Sequence, residues 1–128
     1  MEKSRVLKIK SRKDFVKLSN EGQKFISCGI VLQLMKRIDG NKYQDAIRVG
    51  FTTTKKLGNA VCRNRIRRRL REVARRLLPV LGEAGYDYVF IGRKAAFDRD
   101  FSKLVADGRY VLQAKNKPTD GENLVADK

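Results

Sequence analysis

The sequence predicts one α+β domain, an α/β sandwich with the order helix, strand, strand, helix, strand, helix. Three patterns support this class: apolar residues recur at helical spacing in residues 60–78, alternate at strand spacing between residues 25 and 51, and form a nearly unbroken run over residues 86–91. The 128 residues, 41% of them hydrophobic, suffice for one modest core. We therefore expect a folded domain at residues 1–115 and a flexible polar tail at residues 116–128.

A capping pattern predicts the first helix. Residues 1–10 mix Lys and Arg with scattered apolar residues, which indicates an irregular basic segment. Ser11 can cap a helix, with Asp14 three positions later, because a serine oxygen accepts a hydrogen bond from a first-turn backbone N–H. The helix should end near Asn20, since Gly22 follows.

Two strands should follow, joined by a hairpin. Residues 25–35 alternate between two faces at strand spacing. The segment 39–41, Asp-Gly-Asn, is a turn of the kind that closes hairpins. Residues 47–52 then alternate between apolar and polar or small side chains, which predicts one buried face and one sterically open face. A groove over the open face could accept an extended ligand, although a plain solvated face is the commoner outcome.

A buried strand and a last helix should complete the fold. Residues 86–91 are nearly all apolar or aromatic, as in a strand covered on both faces. The last helix should start at Asp98 or Asp100. Gly108 interrupts its apolar stripe and costs about 1 kcal/mol relative to Ala in a helix interior, which disfavours continuation of the helix beyond that point. The inner side of this helix is predicted to carry Phe97, Phe101, Leu104 and Val105.

The charge points to a polyanionic partner. The formal net charge is +16, from 30 Lys and Arg against 14 Asp and Glu, and such a charge repels itself in the folded state. Nucleic acid, an anionic membrane surface and an acidic protein would each satisfy it. No apolar run reaches the ~18–20 residues of a spanning helix, and the N-terminus lacks the apolar core of a signal peptide. We expect a soluble cytoplasmic protein with no membrane role.

Side-chain chemistry argues against a self-sufficient enzyme. The chain has no His, so a Cys/His zinc site and the familiar His-based catalytic sets are excluded. A metal site of carboxylates alone stays open, but the acidic residues are scattered, and we assign no catalytic or metal-binding residue. Cys28 and Cys62 form no CxxC pair, and both are predicted to be buried small hydrophobic residues.

The most informative stretch is the long helix predicted for residues 60–78, which Pro79, Gly82 and Gly85 should end. It carries eight arginines between positions 63 and 76, with Glu72 as the single acid. An apolar stripe is formed by Cys62, Ile66, Leu70, Val73 and Leu77. The opposite stripe holds Asn64, Arg68, Arg71 and Arg75, flanked by Arg65 and Arg67. The helix should therefore pack on the core and present guanidinium groups outward.

A phosphate-binding role explains this helix better than a solvated basic face. Like charges stand four residues apart in four pairs, at about 0.2–0.5 kcal/mol each, and one acid cannot relieve them. A planar guanidinium can also bind a phosphate with two donors. Asn59 is the predicted N-cap, which places Lys55 and Lys56 beside the positive end of the helix dipole, where a second phosphate could bind.

These residues resemble the signature of the bacterial ribonuclease P protein subunit. The resemblance is carried by Lys55 to Val61, by Arg63-Asn64-Arg65-Ile66, and by Arg68 with Arg71-Glu72. Asp14-Phe15 followed by Gly22 resembles the family's opening helix and first strand, and residues 86–94 resemble the strand after its long helix. The similarity covers roughly residues 4–113.

The resemblance implies a fold, a reaction and its partners. The fold is an α/β sandwich whose arginine helix crosses between parallel strands with an unusual left-handed sense. The reaction is endonucleolytic removal of the 5′ leader from precursor tRNA, with catalysis by the large RNA subunit and its Mg²⁺ ions. The protein would bind the catalytic RNA and the single-stranded leader, hold no cofactor itself and require no protein partner.

The resemblance also implies two sets of contact residues. By the resemblance, the catalytic RNA would contact Lys56, Asn59, Arg63, Asn64, Arg65, Arg67, Arg68 and Arg71. Lys55, beside the helix start, and Arg75, on the outward stripe, are predicted as further RNA contacts. By the resemblance, Phe15 would line the leader cleft between the sheet and the first helix, and we also expect Gln33 and Arg48 to contact the leader. Ser19 and Gln33 stand where many relatives carry aromatic residues, so the strength and base preference of leader stacking are open.

Three other classes remain as alternatives. Small size and basic charge also suit a ribosomal or other structural RNA-binding protein, and only the ordered motif favours a processing role. A DNA-binding protein would need residues that read bases, whereas arginine on the outward face positions a backbone. A stand-alone nuclease is the weakest alternative, given the missing His and the scattered carboxylates.

Overall fold

The computed structural model describes residues 5–37 and 46–114, which form a mixed five-stranded sheet with helices on both faces. The elements are β1 (Arg5–Lys8), α1 (Arg12–Glu21), β2 (Gln23–Ile26), β3 (Ile30–Lys36), β4 (Ala46–Thr52), α2 (Ala60–Leu81), β5 (Tyr86–Gly92) and α3 (Phe101–Ala114). Short 3₁₀ turns lie at Lys55–Leu57 and Lys94–Phe97. The α+β class and the predicted succession of helices and strands are confirmed, with two additional strands. The predicted tail lies outside the described residues.

The strand order is β1-β4-β5-β3-β2. β5 runs parallel to β4 and antiparallel to β3, so it lies between two strands that were predicted to form a hairpin, and that prediction is wrong. The physical reason is that β5, apolar on both faces, takes the central place in the sheet. The turn signal at residues 39–41 lies outside the described residues. α2 connects the parallel pair β4 and β5, as the resemblance implies, and the left-handed sense of this crossover stays a prediction.

Two strand predictions need correction. The segment expected to be irregular contains β1, which pairs in parallel with β4 over residues 46–49, and only this distant partner makes it a strand. The single strand predicted near residues 25–35 is an antiparallel pair, β2 and β3. Ser27 fixes the turn between them, because its backbone N–H and its hydroxyl both donate to the carbonyl of Ile30. Cys28 lies exposed in this turn, so the prediction that it is buried is wrong.

α2 has the apolar stripe predicted from its spacing. Ile66, Leu70, Val73 and Leu77 are buried, whereas Cys62, in the first turn, is only half-buried. The helix runs past Pro79, which therefore does not end it. A proline in the last turn removes a single backbone hydrogen bond, a small loss at a helix end, and the chain leaves the helix at Gly82, whose N–H donates to the carbonyl of Leu78 at 2.8 Å.

α3 continues through Gly108 to Ala114, further than the sequence indicated. A Cβ at Gly108 would lie 2.6 Å from Cγ1 of Val73, so the glycine is what allows α3 to approach α2 closely. Asp100 precedes the helix and its carbonyl accepts from Leu104, in agreement with the second predicted start. Phe97 is not on the inner side of the helix. It lies in the preceding 3₁₀ turn and is 36% exposed.

The sheet separates two apolar clusters. The larger one lies under α2 and α3 and includes Leu32, Leu70 and Phe90. The smaller one, under α1, joins Leu18 and Val89, with Phe15 packed against it. The Phe15 ring lies directly over Gly50 and occupies the space where a Cβ would stand. The polar face of β4 is therefore partly covered by α1 rather than fully open, because the missing side chain admits an aromatic ring.

Candidate nucleic-acid interface

The N-terminus of α2 is built by a local turn. Gly58 has φ +128°, a conformation that side-chain-bearing residues rarely adopt, and it joins the 3₁₀ turn to the helix. Asn59 caps the helix as predicted, with its side-chain oxygen accepting from the Cys62 N–H at 3.0 Å. Lys55 and Lys56 lie exposed in the turn before the cap. The first-turn amides, the helix dipole and two ammonium groups thus combine at one end of the helix.

The outward stripe of α2 is exposed along its length. Asn64, Arg68, Arg71 and Arg75 all have exposed side chains, as their spacing predicts. In the described part of the chain, Arg68 has neither a hydrogen-bond nor an ion-pair partner. The Arg71 guanidinium lies 5.9 Å from the centre of the Phe51 ring, a contact that orients it without neutralising it. The middle of the stripe therefore retains its full positive charge for an anionic ligand.

Glu72 neutralises only the far end of the stripe. Its carboxylate accepts from Arg75 at 2.5 and 3.0 Å and from Arg76 at 3.0 Å. The hydrogen bonds from Arg75 and then Arg76 lower the pKa of Glu72 to about 2. The same contact raises the pKa of Arg75. Among the predicted RNA contacts, Arg75 thus already has an anionic partner, so its interaction with an RNA phosphate should be weaker than that of an unpaired arginine.

On the α3 side of the helix, arginines lie over aromatic rings. Arg65 donates from Nε to the carbonyl of Phe97 at 2.7 Å, and its guanidinium lies 4.9 Å from the centre of that ring. Arg69 donates to a backbone carbonyl at Arg99 and lies over Phe101. Burial, and then the nearby charge of Arg65, lowers the pKa of Arg69. Arg65 is therefore held in place at the flank, while Arg69 serves mainly to pack α2 on α3.

On the other flank, Arg67 is fixed by two neutral partners. It donates to the Thr53 hydroxyl at 2.6 Å and to the Asn64 side-chain oxygen at 3.1 Å. Arg63 is half-buried, and in the described part of the chain its Nε is buried without a hydrogen-bond partner. Neither arginine meets a carboxylate in an ion pair within that part. Both keep their charge beside the exposed stripe.

The three predicted leader-cleft residues lie on the α1 side of the sheet, in different situations. Phe15 is half-buried over Gly50. Gln33, on β3, is only 9% exposed and presents little surface to a ligand. Arg48 donates to Asp87 at 2.9 and 2.7 Å and to Asp14 at 3.3 Å, so two carboxylates share its charge.

Arg48 belongs to an ion cluster beneath α1. Asp87 also accepts from Arg37 at 2.6 Å, and the side chains of both are about 5% exposed. The hydrogen bond with Asp87 is the main cause that raises the pKa of Arg48. Because Asp14 lies on α1, the cluster links that helix to β4 and β5. Its first role is to hold α1 against the sheet, which the sequence did not indicate.

Beside Phe15 the sheet offers a strip that sequence reasoning missed. Strand register places four side chains in one row across β2, β3, β5 and β4: Ile26, Val31, Ile91 and Thr52. Ile26 is 45% exposed and the other three are half-buried. The row is thus an apolar, partly open surface next to an aromatic ring. No signal in the sequence could have assembled it, because the row exists only once the strand order is known.

Within residues 5–37 and 46–114, no three Cys, Asp or Glu side chains come together in a way that could hold a metal ion. In the same ranges, none of the helices is both long and apolar enough to cross a membrane. The arrangement that remains is a cationic helix face on one side of the sheet and an apolar strip on the other.

Comparison with known proteins identifies a family for most of the chain. The family model described as Ribonuclease P matches residues 3–116. The ribonuclease P protein component of Gluconacetobacter diazotrophicus is 45% identical over 109 residues, which cover 85% of this chain and 90% of that protein. The corresponding protein of Paramagnetospirillum magneticum is 42% identical over 104 residues, covering 81% and 78%.

Solved structures agree with this assignment. The RNase P protein from Thermotoga maritima superposes with a TM-score of 0.69 at 29% identity, covering 84% of this chain and 96% of that chain. The RNase P protein of Staphylococcus aureus gives 0.69 at 29% identity, covering 84% and 94%. The similarity in fold therefore extends through almost the whole of the solved relatives.

Proposed function

Because this chain belongs to the ribonuclease P protein family, we propose that it is the protein subunit that assists removal of the 5′ leader from precursor tRNA. The observation that carries the proposal is the exposed stripe of α2, where Arg68 and Arg71 keep their charge on a helix firmly docked to the core. A guanidinium held in this way binds a phosphate without first giving up an internal ion pair. The partner that such a stripe fits is a folded RNA.

In this proposal the RNA subunit performs the chemistry. Mg²⁺ ions would be held by that RNA rather than by this chain, and they would supply the usual role of metal ions in phosphodiester hydrolysis, the activation of water and the stabilisation of the leaving oxygen. The protein contributes phosphate contacts along α2 and its N-terminal turn, which fix the position of the RNA but do not select its sequence. The contact residues proposed are Lys55, Lys56, Asn59, Arg63, Asn64, Arg65, Arg67, Arg68, Arg71 and Arg75. We place this work in the cytoplasm and propose that it needs no further protein.

The leader is proposed to bind along the apolar strip beside Phe15. Single-stranded nucleic acid binds by stacking bases on aromatic and apolar surfaces, at about 1–3 kcal/mol per base. Phe15 would supply one such surface, and the row from Ile26 to Thr52 would continue it across the sheet. Arg48 and Gln33 lie beneath α1, so we propose that they act by holding the helix that carries Phe15 rather than by reading the leader themselves.

Reconstitution tests the proposal directly. The chain is added to a bacterial ribonuclease P RNA and a precursor tRNA at low Mg²⁺, and leader removal is measured over time. We expect a gain in cleavage rate with the wild-type protein, and a smaller gain with the double variant Arg68→Ala, Arg71→Ala. Tight RNA binding with no gain in cleavage would contradict the proposal and favour a structural RNA-binding role.

A second comparison tests the leader strip. Phe15→Ala should weaken holoenzyme binding of precursor tRNA by about fivefold or more, since one stacked base is lost. Binding of mature tRNA, which has no leader, should not change. Val16→Ala, at a side chain 47% exposed on the same helix, is the matched control. Equal losses of affinity for precursor and mature tRNA would show that the leader does not bind this surface.

A further inference from the structure

A cavity of about 310 Å³ lies between β1 and α2, on the sheet face that carries the main core. Strand register puts Val6 and Lys8 of β1 on this face, opposite Ile47 and Val49 of β4. Its walls are apolar and include Val6, Val49, Phe51, Ala74, Leu78 and Pro79. The cavity is large enough for one flat ring system with its substituents, at the lower end of the range for small-molecule sites.

Three cations border this apolar cavity. Lys8 is exposed on β1, and Arg71 and Arg75 line the cavity from α2. Arg71 also lies over the Phe51 ring, which forms part of the wall. Apolar walls with a cationic rim complement a ligand that has a flat apolar part and an anionic part close to it. Arg71 and Arg75 belong to the exposed stripe of α2 that is proposed to bind RNA, so a bound RNA would pass directly over the opening.

We infer that this cavity takes one unpaired nucleotide of the partner RNA, with its base between β1 and α2 and its phosphate beside Arg71 and Lys8. The inference rests on the proposed function and deepens it. A second copy of the chain is the poorer occupant, because it would bring another formal charge of +16 against the same three cations. A purely apolar ligand would supply no anionic group to the cations of the rim.

An inserted base would give α2 a selectivity that phosphate contacts lack. Arginine contacts to phosphates hold any duplex of suitable shape, whereas an extruded base requires an unpaired nucleotide at one defined place. The pocket would therefore fix the register of the RNA along the helix. Blocking the pocket should weaken binding of the RNA without changing the number of phosphates that the protein contacts.

The test fills the cavity from its outer wall. Val6 is 40% exposed on β1, and Val6→Trp places a larger side chain in the cavity with little disturbance of the core. Val80→Trp is the matched control, because Val80 is 73% exposed on α2 and does not line the cavity. We expect Val6→Trp to weaken binding of ribonuclease P RNA about 10-fold, the size of one lost base stack, with an unchanged salt dependence. Val80→Trp should bind like wild type.

A measurement on the unaltered protein provides a second readout, should Val6→Trp unfold the domain. Wild-type protein should protect one unpaired base of the RNA from chemical modification, with dimethyl sulfate probing adenine and cytosine and a carbodiimide probing uracil and guanine. Folded Val6→Trp should leave that base reactive while phosphate protection persists. Equal affinities for the two Trp variants, or no protected unpaired base, would overturn the inference. Sedimentation that showed Val6→Trp abolishing a dimer would also overturn it, in favour of a second copy. The cleavage assay separates these outcomes from a failure of the proposed function, since wild-type protein would still stimulate leader removal.

Discussion

The charge on α2 makes the salt dependence of RNA binding the sharpest prediction. Eight of the proposed contact residues are cations, and in the structure Arg75 alone among them is paired with a carboxylate of the same helix. Each phosphate that a cation neutralises releases counterions and contributes roughly 0.7–0.9 to the slope of log K against log salt. With six to eight contacts, the slope should lie at roughly −4 to −7.

Single substitutions should show how much each arginine contributes to the slope of log K against log salt. Arg68→Ala and Arg71→Ala should each make it less steep by about 1, because each removes one exposed guanidinium from the stripe. Arg76→Ala is the matched control on the same helix. Arg76 lies over the Phe101 ring and shares Glu72, so its removal should leave the slope nearly unchanged.

The assay is equilibrium binding of ribonuclease P RNA to the free protein, titrated with KCl at fixed Mg²⁺. Circular dichroism should show that all three variants stay folded, since none of the three side chains belongs to the buried stripe. A wild-type slope shallower than about −2 would mean that the stripe faces solvent in the complex. An equal change for Arg76→Ala and Arg68→Ala would refute the assignment of the outward face.

Three further predictions concern the elements that hold this surface. Asp87→Asn should lower the free energy of unfolding in urea by about 3–5 kcal/mol, because it removes the buried carboxylate that Arg37 and Arg48 share. A loss below about 1 kcal/mol would contradict this role of Asp87. Asn59→Ala should cost about 1 kcal/mol of stability and Asn59→Asp much less, since aspartate also caps a helix; equal losses would argue against the cap. Glu72 should titrate by NMR near pH 2, because its hydrogen bonds to two arginines hold the pKa low. The ionised Glu72 therefore stabilises the helix fully above its ordinary pKa of 4.5, and this stabilisation is lost as the pH falls towards 2. A titration midpoint near pH 4.5 would show that Arg75 and Arg76 do not lower the pKa of Glu72.

Local patterns predicted the arginine helix and its surroundings well. The spacing of Ile66, Leu70 and Val73 identifies the buried stripe, because helical geometry alone fixes which residues share a face. The exposure of Arg68 and Arg71 follows from the same geometry. The Asn59 cap was also predictable, since capping depends on residues three positions apart.

Features that depend on residues distant in the chain could not be predicted from the sequence. β1 has no clear alternation and becomes a strand only because β4 is beside it. The place of β5 between β3 and β4 cannot be read from a turn signal, because a turn says nothing about a third strand arriving later. The sequence also gave no sign that Asp87, 39 residues further on, accepts hydrogen bonds from the Arg48 guanidinium, and the predicted contact of Arg48 with the leader stays a prediction.

The parallel pairing of β1 with β4 and of β4 with β5 also bears on how the chain folds. Each pair joins residues about 40 positions apart, and the connection from β4 to β5 is the arginine helix itself. Closing such long loops is slow, and here the segment that connects β4 to β5 carries concentrated like charge. Screening that charge with salt or polyanions should speed folding of the free chain, so that a bound RNA would also act as a folding aid for this protein.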